Sequence, residues 1–132
     1  MTTVLNAFGL SVADMATSLG FYRLLGLKFE DGADDAPHTE ITLSGGVRLM
    51  WDTHATLASF DPGFTPPGPH GARISLAFEC GSPAEVDETH RRLIEAGHTS
   101  ERKPWDAPWG QRYAVVLDPD GNGVDLYATL PA

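Results

Sequence analysis

Hydrophobic and polar residues alternate at the start of the chain and then change to helical spacing. In "VLNAFGLSV" the alternation predicts a strand from Val4 to Val12, because successive strand residues face opposite sides of a sheet. The next apolar residues recur at helical spacing, at Met15, Leu19, Tyr22 and Leu25. This spacing predicts a helix that Asp14 caps and Gly26 ends.

Three short strands are predicted after this helix. They span Leu27 to Glu30, His38 to Leu43, and Val47 to Asp52. A Gly45-Gly46 turn precedes the last of them. The segment from Thr53 to Gly71 is rich in proline and glycine and has no sustained periodicity, which indicates a connector.

The order of elements then starts again in the second half of the chain. Arg73 to Cys80 is a predicted strand, and "SPAE", Ser82 to Glu85, is a capping box that begins a helix. This helix runs to Ala96 and stops at Gly97. The remaining predicted strands are His98 to Lys103, Arg112 to Leu117, and Val124 to Ala128.

The two halves repeat the order βαβββ, so the predicted fold class is α+β with two βαβββ modules. Module one covers residues 2–52, the connector 53–71 and module two 72–130, within a single domain of 132 residues. We expect the modules to form a curved, cup-shaped mixed sheet. Its helices lie on the convex side and leave the concave side for a ligand.

Charge and cysteine usage remove several function classes. Eighteen acidic and nine basic residues give a net charge of −9, which opposes binding to nucleic acid or to an anionic membrane. The single cysteine, Cys80, excludes an intrachain disulfide framework and a multi-cysteine zinc site. The first residues lack a basic region, and no apolar run reaches the length of a membrane span, so we predict a cytoplasmic protein.

Two segments carry a family resemblance. "SLGFYRLLGLKF" and "YAVVLDPDGNGVDLYA", together with the βαβββ repeat, resemble the vicinal oxygen chelate superfamily of glyoxalases, bleomycin-resistance proteins and extradiol dioxygenases. The resemblance covers essentially the whole chain. It implies either a metal enzyme or a metal-free drug-binding protein, because the same fold hosts both.

In the metal enzymes that this chain resembles, side chains at four strand positions hold the ion, usually His, Gln or Glu. The resemblance places these positions at Ala7, at Ser75, at Arg48 or Met50, and at Asp125. Only Asp125 is a carboxylate, whereas a catalytic metal needs about three protein ligands. We therefore predict no metal, no cofactor and no catalytic residue.

Whether the protein is an enzyme stays open at this point. His38, His54 and His70 lie near strand ends or in the connector, and they are the candidates for a rebuilt metal site. With such a site the protein is a metal-dependent glyoxalase-type lyase or dioxygenase with displaced ligands. Another alternative is a metal-free enzyme that uses Asp125 as a general base.

Tryptophan residues indicate what the cup binds. Trp51 lies at the end of a predicted strand, and Trp105 and Trp109 bracket the predicted loop "PWDAPWG". The resemblance places both stretches near the mouth of the cup, where indole faces stack on flat or cationic ligands. The alternative is that each tryptophan covers an edge of the core.

Asp125 and Tyr127 share one face of the last strand and are candidate ligand-binding residues. A buried Asp125 requires a partner, which we expect to be a ligand, Arg48 or water. Further candidate lining residues are Met50, Arg48, Ser75, Gln111, Arg112 and Tyr113.

The leading hypothesis is a metal-free small-molecule-binding protein similar to the bleomycin-resistance branch. It sequesters an aromatic or cationic compound, and the acidic balance favours a cationic one. Antibiotic resistance is the role that the resemblance implies, and the resemblance also implies a homodimer.

Overall fold

The described part of the chain forms two sheets and three α-helices. The computed structural model describes residues 6–60, 64–66 and 75–132. One unit lies within Met1–Arg23 and Leu27–Pro66, and the other within Leu24–Gly26 and Pro67–Ala132. The α+β class predicted from the repeat is confirmed. None of the helices in the described ranges is long and apolar enough to cross a membrane.

Helix α1 (Met15–Leu24) begins at the predicted cap. The Asp14 carboxylate accepts hydrogen bonds from the backbone N–H of Thr17 at 2.8 Å and from its hydroxyl at 2.6 Å. This cap satisfies a backbone donor that the first turn of a helix leaves free. The buried hydrophobic residues of the helix are Met15, Leu19, Phe21 and Tyr22.

The first unit contains a sheet of three strands among its described residues, β1 (Ala7–Val12), β2 (His38–Thr42) and β3 (Arg48–Thr53), in the order β1-β3-β2. Strand β1 runs parallel to β3, and β2 runs antiparallel to it. One side of the sheet carries the core, where Trp51 is fully buried and meets the ring of Tyr22 at 5.4 Å.

The predicted strand from Leu27 to Glu30 is wrong, because this stretch has no regular structure. It contains no β-branched residue, and glycines with positive φ, Gly26 at 94° and Gly32 at 83°, turn the chain at both ends. Its Phe29 ring packs edge-on against Trp51 at 5.0 Å. Among its described residues, module one (2–52) therefore has the order βαββ and not βαβββ.

The predicted connector begins with a second helix, α2 (His54–Phe60), which the sequence interpretation missed. Thr53 caps it, since its Oγ1 accepts a hydrogen bond from the backbone N–H of Thr56 at 3.1 Å. The helix has seven residues and none of them is buried. Seven residues are also fewer than the roughly 11 to 18 over which helical periodicity is recognised in a sequence.

The second unit has the full predicted order βαβββ. Its elements are β4 (Ser75–Glu79), α3 (Pro83–Glu95), β5 (Thr99–Ala107), β6 (Gln111–Leu117) and β7 (Gly123–Thr129). The strand order is β4-β7-β6-β5, with β4 parallel to β7 and the other pairs antiparallel. Helix α3 covers one side of this sheet, and the fully buried residues between them are Val86, Leu93, Ala114, Val116, Val124 and Leu126. The predicted strand starts at Val4 and Arg73 lie outside the described residues.

The predicted capping box at the start of α3 forms with one variation. The Ser82 hydroxyl accepts a hydrogen bond from the backbone N–H of Glu85 at 3.2 Å. The Glu85 carboxylate accepts its own bond from the backbone N–H of Gly81 at 2.6 Å, one residue before the cap. The helix ends at Gly97, as predicted, where φ is 96°.

Strand β5 is longer than predicted and runs to Ala107. Its pairing with β6 has register shifts on both sides of Arg102. The second shift, between Arg102 and Trp105, spans Pro104, which has no N–H to donate to a strand ladder. As a result Trp105 lies in the strand, opposite Tyr113, and not in a loop as predicted.

Candidate functional site

The two sides of the second sheet differ in burial. Residues on the helix side, such as Val116 and Leu126, have no exposed surface. Alternate residues of β6 and β7, and Trp105 of β5, lie on the opposite side and are partly exposed. We call this opposite side, together with a neighbouring loop residue, the aromatic face. Its members are Trp105, Trp109, Gln111, Tyr113, Asp125 and Tyr127.

Three rings form a continuous cluster on the aromatic face. The Trp105 and Trp109 ring centroids are 5.5 Å apart, and those of Trp109 and Tyr113 are 5.3 Å apart, both edge to face. The Trp109 Nε1–H donates a hydrogen bond to Gln111 Oε1 at 2.9 Å. Trp109 is thereby held in one orientation although 57% of it is exposed.

Asp125 has a partner within the sheet. The Tyr113 hydroxyl lies near its carboxylate, and hydrogen bonding between the two contributes to the pKa of Tyr113. Burial of the hydroxyl, this hydrogen bond and the negative charge of Asp125 all disfavour a phenolate, and together they raise the pKa of Tyr113 to about 12. The expected partners of Asp125 were a ligand, Arg48 or water, and the structure provides Tyr113.

Arg102 adds a positive charge beside the ring cluster. Its guanidinium carbon lies 3.8 Å from the centre of the Trp105 ring, which is cation–π contact distance. The sequence interpretation missed this contact. Residues three apart on a regular strand point to opposite sides, and only the register shifts around Arg102 bring it over the face of Trp105.

The first sheet has a polar side opposite its core, which we call the polar face: His38, Glu40, Arg48, Met50 and Asp52. His38 Nδ1 lies 2.7 Å from Asp52 Oδ1, and His38 Nε2 lies 3.5 Å from Glu40 Oε2. Glu40 also pairs with Arg48 Nη1 at 3.0 Å. The hydrogen bond to Asp52, reinforced by the charges of both carboxylates, raises the pKa of His38 above its ordinary value.

Comparison with known proteins places this architecture in a family. Residues 4–126 match the Glyoxalase/Bleomycin resistance protein/Dioxygenase superfamily. The chain belongs to this superfamily. A curated relative, the anthracycline biosynthesis protein DauV of Streptomyces sp. (strain C5), is 34% identical over 128 residues, which is 90% of this chain and 40% of the relative. The chain thus spans about 40% of the length of that relative.

Solved structures of the superfamily share the fold. A glyoxalase-related enzyme from Fulvimarina pelagi has a TM-score of 0.78 at 22% identity, with 98% of this chain and 89% of that chain covered. A glyoxalase/bleomycin resistance protein/dioxygenase from Nocardioides has a TM-score of 0.74 at 22% identity, with 100% and 87% covered. At this identity the likeness establishes the fold alone.

The two hairpins of the repeat establish which residues are equivalent. Gly46 and Gly121 occupy the same turn position, since the N–H of each bonds to the carbonyl oxygen three residues before it. Counting from these glycines, Met50 corresponds to Asp125, and Arg48 corresponds to Gly123. The sequence left Arg48 and Met50 as alternatives, and by the register of the hairpins Met50 is the equivalent of Asp125.

The first-strand positions are equivalent in the same sense. Ala7 pairs with Arg48 in the first sheet, and Ser75 pairs with Gly123 in the second sheet, both between parallel strands. Because Arg48 corresponds to Gly123, Ala7 corresponds to Ser75. The four positions that the family resemblance assigns to a metal are then Ala7, Met50, Ser75 and Asp125. This set contains one carboxylate and does not fit a catalytic metal, which needs about three nitrogen, oxygen or sulfur ligands.

Two predicted lining residues lie elsewhere. Trp51 belongs to the core of the first unit with 0% exposure, so it has no surface to offer a ligand and its predicted place at a rim is corrected. Arg112 lies on the helix side of the second sheet, where it pairs with Asp87 of α3 at 3.0 Å and with Asp106 at 3.1 Å. Its predicted role as a lining residue is corrected as well.

The histidines considered for a metal site are separated into different surroundings. His38 belongs to the polar face, and His54 begins α2 with its ring 5.7 Å from that of Phe64. His70 lies outside the described residues. Within the ranges that the structure describes, no three His, Cys, Asp or Glu side chains form a group able to hold a metal ion.

Proposed function

We propose that this protein binds a planar aromatic small molecule on the aromatic face, without a metal ion. The observation that carries the proposal is the cluster of Trp105, Trp109 and Tyr113, which presents a largely exposed indole. Exposed tryptophan side chains that are held in place are typical of binding surfaces, because burying them on a ligand is favourable.

The cluster is ordered before any ligand arrives. Trp109 is held by Gln111 and by two ring neighbours, Trp105 and Tyr113. Fewer rotamers are then lost on binding, and more of the stacking energy contributes to affinity. Tyr127, opposite Tyr113 on the next strand, extends the same surface.

The donor chemistry favours binding over metal catalysis. At the four equivalent positions, alanine has no donor, the methionine thioether is a poor ligand for hard cations, and serine is neutral. Asp125 alone carries a charge, and it already accepts the hydrogen bond of Tyr113. We therefore assign these positions no catalytic step.

The Streptomyces relative supports an aromatic ligand class. Its name connects it with the biosynthesis of anthracyclines, which are planar fused-ring compounds. We propose a ligand of comparable ring size for this chain, and a role in sequestering such a compound, with resistance to it as the consequence.

We further propose a homodimer, on the basis of the family resemblance. Analytical ultracentrifugation at micromolar concentration tests this. Sedimentation at the mass of one 14.2 kDa chain contradicts it.

Tryptophan quenching by 2-(hydroxymethyl)anthraquinone, a planar three-ring probe, tests the binding proposal. We expect saturable quenching, weakened about tenfold or more by Trp109→Ala. Phe60→Ala is the matched control, since Phe60 is an exposed aromatic residue of α2 in the other unit, with 68% exposure. Equal affinity in the wild-type protein and Trp109→Ala contradicts the proposal.

Calorimetric titration of the chelator-stripped protein with Ni²⁺, Zn²⁺, Mn²⁺ and, anaerobically, Fe²⁺ tests the metal-free part. We expect no stoichiometric binding of any of the four ions. Micromolar binding that Asp125→Ala abolishes contradicts the proposal and directs attention to glyoxalase-type chemistry.

A further inference from the structure

Arg102 packs on an aromatic ring, whereas most of the described arginines pair with a carboxylate. Its guanidinium carbon lies 3.8 Å over the Trp105 ring, and Arg102 is exposed. Among the described residues, every arginine except Arg92 and Arg102 has a carboxylate within 4.0 Å. The paired residues are Arg23, Arg48, Arg91 and Arg112.

The lack of a carboxylate at Arg102 is notable in a chain with 18 acids and nine bases. Arg92 lies on α3, away from the ring cluster, and is an ordinary solvated residue. Arg102 instead lies at one end of a continuous series formed by Trp105, Trp109 and Tyr113. It is thus the cation placed where an aromatic ligand would contact the protein.

We propose that the aromatic ligand carries a carboxylate and that Arg102 binds it, an inference that rests on the proposed function. A guanidinium stacks through its flat face and donates hydrogen bonds through its edge, so packing on Trp105 leaves the edge free. Such an edge binds a carboxylate through two parallel hydrogen bonds. The ligand class is therefore a planar aromatic acid.

Asp125 is the charge that would favour a cationic ligand, as the sequence interpretation expected. Its carboxylate is engaged by the Tyr113 hydroxyl within the sheet, whereas the Arg102 guanidinium has no hydrogen-bond acceptor among the described residues. Arg102 is thus the charged group on this face that has no oppositely charged partner among the described residues. The net charge of −9 acts mainly at long range and is screened beyond about 8 Å at physiological ionic strength.

Three matched probes test the inference: anthraquinone-2-carboxylate, neutral 2-(hydroxymethyl)anthraquinone and cationic 2-(aminomethyl)anthraquinone. We expect the wild-type protein to bind the carboxylate about tenfold or more tightly than the neutral probe, in the range of a charge-assisted hydrogen bond. Arg102→Gln should reduce the affinity for the carboxylate to that for the neutral probe. Arg102→Lys, which keeps the charge and loses the flat edge, should give an intermediate affinity.

Arg92→Gln is the matched control for loss of one positive charge and should leave all three affinities unchanged. Circular dichroism and thermal melting establish that each variant is folded. Equal binding of acid and neutral probes, tighter binding of the cationic probe, or an unaltered preference in Arg102→Gln overturns the inference while the proposed function stands. Binding of none of the three probes to the wild-type protein overturns both.

Discussion

At the residue scale, the pair of Tyr113 and Asp125 determines how the aromatic face carries charge. The partly buried phenol of Tyr113, beside the Asp125 carboxylate, has a pKa raised to about 12, so it keeps its proton at neutral pH. This makes the hydroxyl a fixed donor and excludes Tyr113 as a base. The pair therefore positions Asp125 on the aromatic face.

We expect Asp125→Asn to lower the pKa of Tyr113 from about 12, because the negative charge is removed and a hydrogen bond to a neutral amide oxygen is weaker. Burial, the largest cause, remains, so the pKa should stay above its ordinary value of about 10. Carbon-13 NMR of labelled tyrosine measures the titration. Glu79→Gln is the control. It removes a negative charge from β4, which pairs with β7 and not with the strand of Tyr113, and it should leave the pKa of Tyr113 unchanged. A Tyr113 titration that Asp125→Asn does not move is the contrary outcome.

The second prediction at the residue scale concerns His38, which becomes positively charged when it is protonated. Its raised pKa means that the folded protein favours the protonated imidazole. This contribution to stability is fully present below the unfolded pKa of about 6.5 and is lost as the pH rises through the folded pKa. The effect on stability should be small, because 43% of the side chain is exposed.

Histidine NMR titration checks this prediction directly. We expect the pKa of His38 to lie above its ordinary value in the wild-type protein and to fall in Asp52→Asn, which removes the largest cause. His90 and His98 are internal controls, since burial lowers the pKa of each. A pKa of His38 that is the same in the wild type and Asp52→Asn would show that the 2.7 Å contact does not persist in solution.

At the element scale, helix α3 depends on its cap. Ser82→Ala removes the acceptor for the N–H of Glu85, and we expect the free energy of unfolding to fall by about 1 kcal/mol. Ser82→Asp keeps an acceptor oxygen and should preserve stability. Urea denaturation of the three proteins measures the difference, and equal midpoints for wild type and Ser82→Ala would contradict it.

Elements specified by local chemistry could be predicted from the sequence. Asp14 and Ser82 cap the helices that they were predicted to cap, because a cap needs only a side chain and a nearby N–H. Two predicted strands had wrong bounds or did not form. Strand β5 extends past Pro104 because β6 lies beside it, and Leu27–Glu30 fails to form a strand although its length and apolar content suggested one.

The candidate site likewise contains residues that could be predicted from the sequence and contacts that could not. Trp105, Trp109 and Asp125 could be named from the sequence because residue type alone suggests stacking or charge. The stacking of Arg102 on Trp105 depends on register shifts that no periodicity reveals. Trp51 is also a tryptophan, but it belongs to the core. Its position in the strand faces the side of the first sheet where Tyr22 of α1 packs.

At the scale of the whole molecule, the net charge of −9 opposes the very ligand class that Arg102 is proposed to bind. The two effects act over different distances, because repulsion by the whole chain slows the approach of an anion while the local ion pair slows its departure. Stopped-flow quenching with anthraquinone-2-carboxylate separates them. We expect its association rate constant to rise as NaCl increases from 20 to 500 mM, in the wild type and in Arg102→Gln alike, because salt screens the repulsion. The neutral probe should show little change. If the association rate of the acid falls with salt in the wild type, the positive field near Arg102 outweighs the net charge during the approach.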